Sequence, residues 1–343
     1  MEYIRFGRTG LLAGRSGFGA IPIQRLEMAE AVYLLRKAYD SGFNFFDTAR
    51  AYTDSEAKIG RAFSGLRDRI IIATKSGGGD KAAVMRDLSE SLRNLRTDYV
   101  DILQLHNPAV LPDPEDPDSA FGALLEARQK GMTRFIGLTS HRLETAMAAA
   151  ASGLYDTIQF PLCVLSTDRD LAVIEACRTR ELGLIAMKPL SGGLLTDVAA
   201  AFAFLRQFDN LVPVWGIQRE TELDQLLNLE KNPPPMDEAI WRSIARDREE
   251  LAGSFCRGCG YCLPCPAGIP IPMAARMSLL LRRMPYQQFL SDEWHRQMSL
   301  IRACQDCGHC KLNCPYQLDT PALLREMLRD YEEFYAAHAG EVQ

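Results

Sequence analysis

The chain has 343 residues. At roughly 150 residues per domain that leaves room for two domains, or for one α/β barrel of about 250 residues with a remainder. Apolar residues make up 47% and charged residues 24%, enough for a full hydrophobic core. With 39 Lys plus Arg against 44 Asp plus Glu, the net charge is −5, which excludes a surface devoted to nucleic-acid phosphates. No apolar run is long enough for a membrane span, and the start MEYIRFGRTG lacks the apolar segment of a secretion signal. A cytoplasmic protein that engages neither nucleic acid nor membrane is expected.

Through residue 230 the chain alternates short apolar runs with amphipathic stretches. Strands are predicted at 15–20, 43–47, 69–74, 100–106, 133–139, 157–160, 183–187 and 211–215. Helices are predicted at 28–41, 81–95, 119–130, 141–151 and 168–180, the last opened by the capping groups of Ser166 and Thr167. Runs such as IIIAT, DILQL and GLIAM read as apolar throughout, the pattern of parallel strands buried on both faces. Eight strands with intervening helices predict an α/β fold, a (β/α)8 TIM barrel. An open doubly wound sheet is the alternative, but Gly17-Phe18-Gly19 lacks the third glycine of a dinucleotide fingerprint. KNPPP at 231–235 breaks the pattern and divides the chain into a barrel over 1–235 and a small, mainly helical domain over 236–343. In the latter, helices are expected at 236–252, 273–284, 286–301 and 320–337.

Ten cysteines need an explanation, and eight of them fall between Cys256 and Cys314. In a chain that is not exported, metal binding is the better reading than disulfides. The first quartet is Cys256-x2-Cys259-x2-Cys262-x2-Cys265-Pro266, and the second is Cys304-x2-Cys307-x2-Cys310-x3-Cys314-Pro315. Two-residue gaps wrap three thiolates around one cuboidal cluster, while the Cys-Pro cysteine reaches towards a partner cluster. The expectation is two 4Fe-4S clusters in a ferredoxin-like domain, with a single cluster or zinc as the competing reading. A crossed pattern groups Cys256, Cys259, Cys262 and Cys314, and separately Cys304, Cys307, Cys310 and Cys265. The x2 gap before Cys265 departs from the usual spacing. Cys163 and Cys177 are expected to be small buried apolar residues.

Polar groups gather where the predicted strands end: Asp47-Thr48, Thr74-Lys75, His106-Asn107, Thr139-Ser140-His141 and Gln159. Each alone is weak, whether as a cap, a solvated cation or a hydrogen-bonded histidine. Together they would line one rim, the active-site face of this fold.

On these residues the sequence resembles the aldo-keto reductase family over roughly 3–230. The resemblance rests on FDTARAYTDSEAKIGRAF at 46–63, ATKSG at 73–77, LQLHNP at 103–108, GLTSH at 137–141 and Gln159-Phe160. The whole chain is similar to the subgroup that carries a C-terminal 4Fe-4S ferredoxin-like domain. The resemblance implies a tetrad of Asp47, Tyr52, Lys75 and His106 acting on a small carbonyl or alcohol. In it Tyr52 is the acid, Lys75 stabilises the phenolate, Asp47 holds Lys75, and His106 bonds the carbonyl oxygen. It also implies NAD or NADP, with the carboxamide near Ser140 and Gln159. His141 stands where the family usually has Asn, and Met187 where an aromatic ring usually stacks. Gly192 and Gly193 are placed to meet the pyrophosphate. Arg219 is the sole basic group of the adenosine-phosphate segment at 212–225, which favours NAD.

Hydride moves electrons in pairs and clusters move them singly, so a mediator such as flavin, an external electron carrier or a structural role for the clusters stays open. The competing function is an iron–sulfur electron-transfer protein whose barrel binds something other than NAD(P). A non-enzymatic redox sensor is the third. Substrate choice is expected in the loop at 108–117, with Gln24, Arg25 and Arg50 near the mouth.

Overall fold

The computed structural model describes residues 1–251, 255–283 and 286–338. The chain divides into two compact units, one of Met1–Pro189 with Asp197–Ile244 and the other of Leu190–Thr196 with Ala245–Gln343.

The first unit opens with an antiparallel hairpin, β1 (Tyr3–Arg5) and β2 (Leu12–Gly14). Eight parallel strands follow and close a barrel: β3 (Gly17–Gly19), β4 (Phe45–Asp47), β5 (Ile71–Ser76), β6 (Val100–His106), β7 (Thr133–Thr139), β8 (Thr157–Pro161), β9 (Gly183–Met187) and β10 (Leu211–Gly216). β10 pairs with both β9 and β3, so the sheet has no edge. A helix follows each strand: α1 (Met28–Asp40), α2 (Ser55–Ala62), α3 (Lys81–Leu95), α4 (Ala120–Gln129), α5 (Leu143–Ser152), α6 (Asp168–Thr179), α7 (Val198–Arg206) and α8 (Glu220–Lys231). The expected (β/α)8 architecture is present.

Capping chemistry sets several boundaries. Asp80, Ser119 and Asp197 each accept a backbone N–H of the first turn of α3, α4 and α7. At α6 Thr167 and Asp170 form a reciprocal capping box. Sequence patterning missed α2, α7 and α8. The buried face of α2 includes Ser55, Glu56 and Lys58, so its inward stripe is not apolar. Its Gly60 lies where a Cβ would stand 2.4 Å from the Asn94 carbonyl, so α2 and α3 approach backbone to backbone.

Phe6, Leu11 and Ala13 of the hairpin pack with Phe45, Ile71, Ile102, Ile185 and Val212 of the strands. Phe6 meets Phe45 edge-on at 5.5 Å. Each large apolar side chain sequestered here contributes about 1.5–3 kcal/mol. The hairpin thus seals the strands' N-terminal ends, opposite the C-terminal ends that carry the polar residues.

The second unit contains the end of α9 (Glu238–Glu250), then α10 (Ile271–Ala274), α11 (Met277–Arg283), α12 (Asp292–Ser299), α13 (His309–Leu312) and α14 (Thr320–Ala337). The two long helices expected at 273–284 and 286–301 are broken into shorter pieces. Ser291 accepts the Trp294 N–H and starts α12 afresh, after a 3-10 turn at Tyr286–Leu290. The expected continuation of helix to Ala252 and Met284 lies outside the described residues. α14 buries Leu324, Met327, Leu328 and Tyr331 at helical spacing, and the Tyr331 hydroxyl donates to the Phe289 carbonyl at 2.8 Å. Arg283 pairs with Asp247 and Glu250. No described helix is long and apolar enough to cross a membrane.

Candidate active site and metal centre

Strand register brings the polar strand ends onto one rim. Asp47 pairs with Ala73, Lys75 with Gln104, His106 with Thr139, and Thr139 with Gln159. Lys75 Nζ donates to Asp47 Oδ2 at 2.7 Å and to the Thr48 carbonyl at 2.6 Å. Lys75 is 1% and Asp47 4% exposed, so this is an ion pair removed from water. Gln159 Nε2 donates to the same Asp47 oxygen at 3.2 Å, and Gln104 Nε2 donates to Gln159 Oε1 at 2.9 Å.

Tyr52 is carried by the turn between β4 and α2. Its N–H donates to Ala49 and its carbonyl accepts from Ser55, while Ser55 Oγ binds Thr48 Oγ1 and the Ala20 carbonyl. The Tyr52 ring lies 5.2 Å from Lys75 Nζ and meets the His106 ring edge-on at 5.9 Å. All four proposed tetrad members therefore gather at one place.

Burial governs the protonation of this site. It pushes Asp47 up and Lys75 down, and their mutual attraction opposes both movements. Burial of its hydroxyl, and then the Asp47 charge, raise the Tyr52 phenol above its ordinary value. Lys75 is bonded to Asp47 and Thr48, and no lowering by its ammonium offsets those two effects in the resting site. Tyr52 is a protonated donor there. Burial, then Lys75, push His106 down to about 3, so the ring is neutral and can offer one N–H.

The remaining candidates separate. Ser140 is fully buried, and its Oγ both accepts from the Arg142 N–H at 3.0 Å and donates to the Arg142 carbonyl at 3.1 Å. The His141 N–H donates to Asn107 Oδ1 at 2.9 Å, and its ring is pushed well down by burial and then by Lys188. Met187 Sδ accepts from Thr139 Oγ1 at 3.9 Å, and its side chain packs on the barrel core. Arg219 is exposed and pairs with Glu222 at 3.8 Å. Gly192 and Gly193 both have positive φ, and the Gly193 N–H is already bonded to the Leu190 carbonyl, as in a turn. Arg50 is held by Glu56 at 3.1 Å and Glu90 at 2.8 Å rather than offered to a ligand.

Sequence reading passed over Gln104 and Glu56. Gln104 is fully buried in a run read as apolar, and a glutamine inside DILQL was its signal. Glu56, 1% exposed, accepts from Thr74 Oγ1 at 2.7 Å and Arg50 at 3.1 Å beneath the rim.

In the second unit, Cys262, Cys265, Cys304, Cys307 and Cys310 all line one cavity. On the other side, burial raises Cys256, and the neighbouring thiolates of Cys259 and Cys314 raise it further. Burial and then Cys256 and Cys259 raise Cys262 to about 12. Eight sulfurs so arranged repel one another as thiolates and fit cationic iron cores between them. Among the described residues no three His, Cys, Asp or Glu side chains close tightly enough for a single ion. Cys163 and Cys177 are buried in the first unit, apart from these sets.

Residues 12–232 match the family model described as the aldo/keto reductase family, and residues 255–318 match the 4Fe-4S dicluster domain. An L-galactose dehydrogenase of Arabidopsis thaliana is 34% identical over 217 residues, 57% of this chain and 68% of that protein. An L-glyceraldehyde 3-phosphate reductase of Escherichia coli O157:H7 is 28% identical over 227 residues, covering 57% and 63%. The chain thus spans about two thirds of the length of these curated relatives. Among solved structures, the holo form of an aldo-keto reductase from Bacillus halodurans gives a TM-score of 0.63 at 22% identity, covering 72% of this chain and 96% of that one. An aldo-keto reductase of Klebsiella pneumoniae in complex with NADPH gives 0.59 at 22%, covering 71% and 94%.

Proposed function

We propose that this chain, which belongs to the aldo/keto reductase family, is an oxidoreductase that interconverts a small carbonyl compound and its alcohol at the barrel mouth, in a molecule that also carries two 4Fe-4S clusters. The observation that carries the reading is the buried Lys75–Asp47 pair beneath a protonated Tyr52, with a neutral His106 against its ring. A bound nicotinamide would supply hydride to the carbonyl carbon. As charge grows on the carbonyl oxygen, Tyr52 donates its hydroxyl proton and His106 donates a hydrogen bond. Lys75⁺ then favours the tyrosinate, and Asp47 keeps that ammonium charged and aimed. Gln159, itself oriented by Gln104, holds Asp47 in place.

Two buried acceptors of this layer, Asp47 Oδ1 and Gln104 Oε1, have no hydrogen-bond partner among the described residues. Unsatisfied acceptors beside the rim suit a polar, donor-bearing ligand. NAD is preferred over NADP, because Arg219 is the one basic side chain in its segment and Glu222 engages it. Cys256, Cys259, Cys262 and Cys314 would hold one cluster, and Cys265, Cys304, Cys307 and Cys310 the other. The clusters would supply one-electron transfer to or from a carrier.

One observation favours a second reading, in which the barrel serves the clusters rather than a nicotinamide. Ser140 and Gln159, the groups expected at the carboxamide, are both satisfied internally. Anaerobic protein with counted iron and sulfide, titrated with NADH, NADPH and then dithionite, separates the two. The proposal expects tight NADH binding and NADH-dependent carbonyl reduction. Protein that ignores both nicotinamides, yet reduces substrate from dithionite-reduced clusters, supports the second reading.

A further inference from the structure

Arg276, from the insertion between the two cysteine quartets, is 7% exposed, and no carboxylate pairs with it among the described residues. Its fork is held by neutral groups alone: Nε donates to the Pro272 carbonyl at 2.8 Å, Nη1 to the Gly192 carbonyl at 3.0 Å, and Nη2 to Met273 Sδ at 3.4 Å. A buried guanidinium without a counter-charge is costly, so the fold must supply an anion.

The surroundings are shaped for this side chain. A Cβ at Gly258 would stand 3.0 Å from Arg276 Cζ, and one at Gly192 would stand 3.0 Å from Nη1. Both glycines have left-handed backbone, with φ of 62° and 69°. Gly258 sits between Cys256 and Cys259, and its N–H donates to Cys256 Sγ at 3.4 Å. The guanidinium therefore lies flat on the turn that presents two cysteines. Burial pushes it down from its ordinary value, and the thiolates of Cys256 and Cys259 act against that.

Among the described residues, the second quartet has no such buried cation. Its nearby Asp306 and Arg325 are half-exposed and pair with each other, and Lys311 pairs with Asp319 at the surface. Screened pairs of that kind carry little net field.

We propose that Arg276 is the internal counter-cation of the cluster held by Cys256 and Cys259, and that it raises the reduction potential of that cluster above that of its neighbour. This rests on the two-cluster reading above. One-electron reduction adds one negative charge to the cluster and its four thiolates, and a fixed buried cation stabilises that added charge. The electron comes from a one-electron donor, dithionite in the test below. The first cluster becomes the site where electrons rest.

The test is an anaerobic redox titration of the full chain with dithionite, read by electron paramagnetic resonance, with iron and sulfide counted in every sample. Wild type should show two distinct midpoints. In iron-replete Arg276→Met and Arg276→Gln the higher midpoint should fall by at least a tenfold change in the oxidised-to-reduced ratio, about 59 mV per tenfold for one electron. The lower midpoint should stay in place, and Arg276→Lys should keep most of the difference. If the neutral variants lose half their iron while Arg276→Lys retains it, the counter-charge role also stands. A single shared midpoint in wild type overturns the proposal, as do unmoved midpoints in replete neutral variants. Iron loss in Arg276→Lys as well would make the residue purely structural and overturn it too. Wild-type protein without iron would instead sink the cluster reading itself.

Discussion

The two units keep buried charge in different ways. At the barrel mouth, the Lys75 ammonium is matched by Asp47 on the neighbouring strand, and backbone and amide groups complete the set. In the cysteine unit, Arg276 is buried with neutral partners among the described residues, and five of the cysteines line one cavity. The barrel pairs its buried cation from within the chain, whereas among the described residues of the second unit Arg276 meets no carboxylate. A site completed internally is preorganised before its ligand arrives. One that is not depends on its ligand for stability.

Stripping iron should therefore separate the two units most sharply. With a chelator and reductant, limited proteolysis should cut rapidly within 255–338 while the fragment containing the barrel persists. Equal protection of both regions after iron loss would erase the contrast. Cys310→Ser should likewise lose cluster iron, and full iron content in that variant would refute its assignment as a ligand.

The next effect is confined to the barrel. Tyr52→Phe or Lys75→Met should lower the turnover of carbonyl reduction by at least about a hundredfold, the scale of losing a proton donor or its activator. Iron content should not change. Unaltered turnover would remove the tetrad from the mechanism.

A smaller effect comes from the two buried histidines. Their native values are depressed, with His106 at about 3 and His141 well below the ordinary value. The unfolded chain therefore binds more protons below about pH 6.5, and stability falls as pH drops from there towards the native values. The loss is at most about 1.4 kcal/mol per pH unit for each histidine. Urea unfolding at pH 7 and pH 5 should show a smaller acid loss in His106→Gln than in wild type. Identical losses would contradict the buried neutral ring.

The smallest effect belongs to Arg219, which is exposed and paired with Glu222. Arg219→Ala should change the KM for NADPH by no more than about fivefold, the scale of an exposed ion pair. A much larger change would give it a direct phosphate contact and reverse the preference for NAD.

Local patterning made the barrel legible. β6, β7 and β9 begin and end where the sequence predicts, because their largely apolar runs suit strands buried on both faces. The rim could be read from Asp47, Lys75 and His106, each standing at or beside a strand end. α2 was not legible, because its buried face carries Ser55, Glu56 and Lys58, whose partners lie on other segments. Gln104 was hidden for the same reason, since its partner Gln159 is 55 residues away.

Sequence alone determined the eight-strand alternation, the spacing of the thiols and the chemical type of each rim residue. These are local properties: hydrophobic period, gap length and side-chain identity. Tertiary structure alone decided which charges are paired. It bonded Lys75 to Asp47, it buried the Tyr52 hydroxyl near the Asp47 charge and so left it protonated, and it buried Arg276 beside Cys256 and Cys259. The energy of a charge depends on its distance from other charges and from water, and only folding sets those distances.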